Sequence, residues 1–377
     1  MELIGRFFKA PKQSFFLLGP RGTGKSTFIK RAFPDALYLD LLLPDVFRNY
    51  TARPERLREA VHAQKDKKVV VIDEIQKAPQ LLEVVHRLIE EKLGLQFILT
   101  GSSARKLRKA GVNLLGGRAL MKRMHPFMAA ELGKKFSLER ALKIGLIPVI
   151  VSSDDPVSAL QAYVDLYLRE EVQMEGLTRN IGNFSRFLEV VSFSHGSVLN
   201  ISNVARDCQI ERKVVEGYVG ILEDLLLAYR MPVFSKRAKR AVSSHPKFYF
   251  FDAGIFGGLR PSGPLDRPEE KSGVALEGLV AQHLRAWIDY RDPGCDLTYW
   301  RTSAGSEVDF VLYGKNVFWA IEVKNGTTIH PQDLRALKTF REDYPQAKRI
   351  FLYRGEEKLV REGISIEPCA EFLMGLK

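Results

Sequence analysis

The chain has 377 residues, 45% apolar and 27% charged, a balance ordinary for a folded protein with room for two or three cores, which excludes disorder as the default. No stretch approaches the ~20 apolar residues of a membrane span, the start lacks a signal-peptide core, and Cys208, Cys295 and Cys369 form no CxxC pair. Membrane, secreted disulfide-framework and zinc classes are thereby excluded and a cytoplasmic location is expected, while a net charge of +12 favours a polyanionic partner such as DNA, with an idle basic surface as the plain alternative.

In chain order, the apolar run Phe15-Phe16-Leu17-Leu18 predicts a strand, and it leads into Gly19-Pro20-Arg21-Gly22-Thr23-Gly24-Lys25-Ser26-Thr27. The G-x-x-x-x-G-K-[ST] spacing lets small residues turn the chain so that backbone N–H groups and the following helix N-terminus meet the phosphates of ATP. Lys25 is expected to reach the β- and γ-phosphates and Ser26 to ligate Mg²⁺. A second strand is expected over 36–39 and a helix over 54–64. Lys67 and Lys68 then precede Val69-Val70-Val71-Ile72-Asp73-Glu74. An unbroken β-branched run ending in two carboxylates is the Walker B pattern of a strand buried on both faces in a parallel sheet. Asp73 is the expected Mg²⁺ ligand, and Glu74 the group that polarises the attacking water.

A helical stretch over 81–93 leads to Leu95-Gln96-Phe97-Ile98-Leu99-Thr100-Gly101-Ser102, a strand stopping on small polar residues at the sensor-1 position. Thr100 or Ser102 is the candidate there to touch the γ-phosphate or the water, with capping of a helix near Ala104 as the alternative. Arg118, after Gly116-Gly117, stands where an arginine finger would complete the site of a neighbouring copy in a homo-oligomer. A surface salt bridge is its other reading.

Residues 155–176 predict a lid or connector helix. A helix over 184–192, a short polar entry and short helix within 198–208, a turn at Gln209, an amphipathic segment over 210–227 and extended chain over 226–233 have the order of a winged helix-turn-helix. Lys236, Arg237, Lys239 and Arg240 fall at its wing, positioned for a DNA backbone, for solvent, or for a packing joint.

Beyond the strand Lys247-Phe248-Tyr249-Phe250-Phe251-Asp252 a loop is expected over 257–273, then a helix carrying Glu277 in an apolar run. Three strands follow, over 297–301, 306–312 and 317–324. Glu322 and Lys324 lie two apart and share a face, with Asp309 on the neighbouring strand. Two carboxylates on adjacent strands can share Mg²⁺ or Mn²⁺ beside an ammonium that positions a water, and Glu277 would add an acidic group from the helix. This is the PD-(D/E)XK nuclease pattern, with Lys324 catalytic and Glu277, Asp309 and Glu322 metal-binding.

On these motifs, with Gly117-Arg118, Pro126-Phe127 and Glu131-Leu132 between them, the chain resembles prokaryotic AAA-type ATPases fused to a restriction-endonuclease-like C-terminal domain. It departs from them at Ile144-Gly145-Leu146-Ile147-Pro148, where a glycine-glycine-aromatic-proline element is usual. The resemblance implies ATP binding and hydrolysis. The expected architecture is α/β: a P-loop AAA-type core over 1–152, lid helices and a winged helix over 153–244, and a nuclease-like domain over 245–377. Two functions stay open: ATP control of a DNA-cutting domain, or a regulatory or signalling ATPase switch whose nuclease-like domain is an inert interaction module.

Overall fold

The computed structural model describes residues 4–103, 115–167, 180–236, 245–264, 267–291 and 294–377. They fall into two compact units, one of residues 8–125 with 224–227, the other of 1–7, 126–223 and 228–377.

The first unit is built on a five-stranded parallel sheet in the order β2-β3-β4-β1-β5, with β1 Phe15–Leu18, β2 Leu37–Asp40, β3 Val69–Asp73, β4 Gln96–Gly101 and β5 Leu120–Arg123. Strand β1 lies between β4 and β5, and its four side chains are at most 3% exposed. Each such side chain contributes roughly 1.5–3 kcal/mol of burial, enough to fix the strand that carries the glycine loop. Helices α1 Lys25–Ala32, α2 Pro44–Ala52, α3 Arg56–Ala63 and α4 Leu81–Glu90 join the strands. Helix α4 buries Leu81, Leu82, Val85 and Leu88 along one stripe. The sequence reading missed α2 and β5. Strand β5 is mostly exposed and reads Leu-Met-Lys-Arg, which gives it little strand signal.

The second unit holds two sheets. The smaller has the order β6-β8-β7, from β6 Ser197–Val198, β7 Ala228–Met231 and β8 Lys247–Phe250, all antiparallel. Around it in sequence lie α5 Ile181–Ser192, α6 Ile201–Cys208 and α7 Arg212–Asp224. Gln209, at φ 57°, makes the turn that ends α6.

The larger sheet is mixed, in the order β13-β14-β12-β11-β10-β9. Strands β9 Asp296–Arg301, β10 Glu307–Tyr313 and β11 Phe318–Val323 are antiparallel; β12 Lys348–Tyr353 runs parallel to β11 and to β14 Ile364–Pro368, and β13 Leu359–Arg361 closes the edge. At the other edge, Phe234 N donates to Tyr299 O at 2.7 Å and Tyr299 N to Pro232 O at 3.1 Å, so the segment after β7 lines β9.

The two ends of the loop expected over 257–273 are helical instead. Helix α8 spans Ala253–Leu259 and α9 spans Pro268–Arg291. Asp252 caps α8, its Oδ1 accepting from Gly254 N at 2.9 Å and Ile255 N at 3.3 Å. Of the connector expected over 155–176, residues Pro156–Ala162 are helical and 163–167 form a π-turn; 168–176 lie outside the described residues.

Candidate functional site

The glycine loop leaves the buried end of β1 and enters α1 at Lys25. Gly22 and Gly24 have φ of 79° and 87°, in the left-handed region where a side chain would be strained. A Cβ on Gly19 would lie 2.4 Å from the Met124 carbonyl oxygen, so that position also excludes a side chain. Thr23 is fully buried and donates from Oγ1 to Pro20 O at 2.7 Å, holding the turn closed. Lys25, 5% exposed, donates from Nζ to Gly19 O at 2.7 Å and Pro20 O at 3.1 Å. Pro20, Arg21, Ser26 and Thr27 complete the loop and the first turn of α1.

Asp73 ends β3, is 1% exposed, and lies in register with Asp40 of β2. Thr100, at the end of neighbouring β4, donates to Asp73 Oδ1, and the same hydroxyl accepts from Glu74 N at 3.0 Å. Thr100 therefore ties both Walker B carboxylate residues to the strand beside them. The Tyr38 hydroxyl donates to Asp73 Oδ2. Burial first, then Asp73, pushes the Tyr38 phenol well above its ordinary range, with a hydrogen bond to Ser26 acting the other way. Tyr38 thus touches Asp73 and lies within electrostatic reach of Ser26, the two expected Mg²⁺ ligands. That oxygen-only donor set suits Mg²⁺, which takes one or two carboxylates and completes its shell with phosphates and water.

Gln76 donates from Nε2 to Glu74 Oε2 and, at 3.0 Å, to Ser102 Oγ. Ser102 Oγ in turn reaches Glu74 Oε2 at 3.4 Å. The second sensor candidate therefore serves Glu74 rather than Asp73. Arg118 donates to Glu90 on α4, both side chains substantially exposed at 40% and 52%. Of the two readings open to Arg118, this geometry is the surface ion pair.

In the second unit, β10 and β11 run in the register that sets Phe310 opposite Ile321, which makes Asp309 and Glu322 neighbours. Asp309 Oδ2 accepts from Val323 N at 2.8 Å, and Lys324 Nζ donates to Glu322 Oε1 at 2.7 Å. Asp309, Glu322 and Lys324 therefore lie together. Glu322 Oε2 is buried without a hydrogen-bond partner. Burial, then the charge of Asp309, pushes the Glu322 carboxyl well up, with Lys324 opposing.

Glu277 behaves differently. Its Oε1 accepts from Lys247 Nζ at 3.0 Å and from the Tyr249 hydroxyl at 2.6 Å. Lys247 also lies 2.6 Å from Glu307 Oε1 and 3.7 Å from Asp309 Oδ1, with its side chain 2% exposed. Burial works against its charge, but Glu277, Asp309 and Glu307 outweigh that and raise its pKa. Among the described residues no group of three or more His, Cys, Asp or Glu is arranged to hold a metal ion. Between Glu277 and Asp309, two of the three carboxylates expected to share a divalent cation, stands the buried ammonium of Lys247.

Tyr38, Gln76 and Lys247 escaped the sequence reading as site residues. Lys247 carried a signal, since a lysine at the head of an aromatic strand must find a counter-charge if that strand is buried.

Residues 11–133 match the model of an AAA domain. This match supports an AAA-type ATPase domain over that segment. The rest of the chain matches two domains of unknown function, DUF8612 over 135–266 and DUF4143 over 272–372. No curated protein matches the chain. Similar solved structures include domain III of the Thermotoga maritima replication initiation protein DnaA (11% identity, 45% of this chain and 80% of that one, TM-score 0.25). AMPPCP-bound DnaA from Aquifex aeolicus is another (12%, 56% and 81%, TM-score 0.25), as is protein VC1899 from Vibrio cholerae (11%, 97% and 96%, TM-score 0.23). At such TM-scores none of these likenesses bears on fold or function. No helix among the described residues is long and apolar enough to cross a membrane.

Proposed function

We propose that the chain is a Mg²⁺-ATP-driven switch that works on DNA. The observation that carries this is Thr100, whose hydroxyl ties Asp73 and Glu74 together at the carboxyl ends of adjacent parallel strands, the place where an open α/β sheet binds its ligand. In this reading Lys25 leaves the carbonyls of Gly19 and Pro20 to meet the β- and γ-phosphates. Ser26 and Asp73 hold Mg²⁺, which when bound neutralises phosphate charge, and Glu74 orients the attacking water with Thr100 beside it. An arginine-finger role for Arg118 in a homo-oligomer requires it to leave Glu90.

DNA as partner is supported by the net charge of +12 and by the order α5, β6, α6, α7, β7, β8 with β8 central in its sheet, which is the arrangement of a winged helix. A restriction-endonuclease-like fold for residues 245–377 is supported by a helix, three antiparallel strands, a helix over Arg335–Asp343 and a parallel strand, with Asp309, Glu322 and Lys324 together. Between ATP-controlled cleavage and an inert interaction module, Lys247 among Glu277, Glu307 and Asp309 favours the second.

Lys25→Ala is expected to abolish ATP turnover, read as steady-state phosphate release. Turnover near the wild-type rate overturns the proposal.

A further inference from the structure

We infer that Lys247 is the resident cation of the Glu277, Glu307 and Asp309 cluster, so that this site holds an ammonium where a restriction-endonuclease-like fold would hold Mg²⁺ or Mn²⁺. The inference rests on the reading of residues 245–377 as that fold.

An ammonium has three donors, and here three carboxylates surround it: Glu307 at 2.6 Å, Glu277 at 3.0 Å and Asp309 at 3.7 Å. They come from two elements, Glu277 from the middle of α9 and Glu307 and Asp309 from β10, two residues apart and so on one face. Lys247 comes from a third, β8, where Tyr249 shares its face and donates to the same Glu277 oxygen.

The lysine is not a surface group that happens to fold inward. Its side chain is 2% exposed and its Nζ lies 5.3 Å from the centre of the Tyr299 ring, itself fully buried. The carboxylates expected as metal ligands each have an ammonium nearby, Asp309 that of Lys247 and Glu322 that of Lys324 at 2.7 Å. A divalent ion between Glu277 and Asp309 would meet the buried like charge of Lys247. The atom left for it is Glu322 Oε2, buried and without a partner, so the test is aimed at the pair Asp309 and Glu322.

Because β8 also belongs to the sheet beside the helix-turn-helix, the cluster ties that sheet to the six-stranded one. Its role is then a joint rather than a cutting centre.

Mn²⁺ binding to the nucleotide-free full-length chain, measured by electron paramagnetic resonance, tests this. Wild type and Asp309→Asn are expected to bind the same number of Mn²⁺ ions. Lys247→Met is expected to bind one more, lost again in the Lys247→Met, Asp309→Asn double variant, and Mn²⁺ should raise the Tm of Lys247→Met by more than that of wild type. A wild-type Mn²⁺ ion that Asp309→Asn removes overturns the inference. So does a Lys247→Met protein, folded by circular dichroism, that takes up no extra Mn²⁺. If Lys247→Met does not fold, the comparison of wild type with Asp309→Asn decides alone. These readouts are independent of phosphate release in Lys25→Ala, so failure here and failure of the ATPase proposal are told apart.

Discussion

Glu74 sits at φ 61° and ψ 46°, a left-handed conformation that costs a non-glycine residue of order 1–3 kcal/mol. Strain of that size persists only where neighbours hold the residue, and here Thr100 takes its N–H while Gln76 and Ser102 take its carboxylate. Gln76 is thus a positioning residue for the group proposed to orient water. A hydrogen bond to a charged group contributes about 1.5–3 kcal/mol, so Gln76→Ala is expected to lower kcat by on the order of tenfold or more while KM for ATP stays within about twofold. A KM that rises with kcat unchanged would place Gln76 in nucleotide binding instead. The run of Val69 to Glu74 was legible because its chemistry is local in sequence. The parts played by Tyr38 and Gln76 were not, since each depends on which strands are neighbours and how the chain turns after Glu74.

At the scale of elements, periodicity located the glycine-loop strand, the Walker B strand and the three strands of the C-terminal sheet, all of which carry apolar runs. It failed at α8, where a glycine that packs against distant backbone sits inside the helix. Gly254 lies inside α8, where a Cβ would come within 2.4 Å of the Ile144 carbonyl, and Gly145, at φ 74°, would bring one to 1.8 Å from Asp252 Oδ1. Read along the chain such glycines look like loop, because what they approach is more than a hundred residues away. The wing is a further limit: Lys236 pairs with Asp296 at 3.1 Å, and Arg237, Lys239 and Arg240 lie outside the described residues. Reversing all four charges is expected to weaken DNA binding and to flatten the plot of log affinity against log salt by up to ~0.9 for each phosphate that is no longer neutralised. An unchanged salt slope would assign this segment to packing.

For the molecule as a whole, stability is linked to pH through buried histidines. Burial pushes His195 down to about 3, and pushes His283 down to about 4 against the opposing hydrogen bond to the Leu279 carbonyl. Each stays neutral in the folded chain yet titrates near ~6.5 once unfolded, so the stability it contributes is present above that pH and lost as pH falls toward its folded value. Asp252, raised by burial to about 6 against the N–H groups of Leu146, Gly254 and Ile255, runs the other way: its folded form gains stability as pH falls through 6. The difference between variants is therefore more telling than the curve of wild type. His283→Asn removes one titrating group, and its deficit in unfolding free energy against wild type should shrink by roughly 2 kcal/mol between pH 7 and pH 5, measured by urea denaturation. A deficit constant over that interval would mean that His283 does not resist protonation in the folded chain.

The short stretch from Pro232 to Phe234 along β9 has a consequence for self-association. An uncovered outer strand offers a row of free N–H and C=O groups to any extended chain that drifts past, which is how many β proteins come to aggregate. Here the chain's own backbone takes up that row at Tyr299, and the opposite border ends in the three-residue strand Leu359–Arg361. The larger sheet is blocked at Tyr299 on one border and cut short on the other, which works against its stacking into fibres.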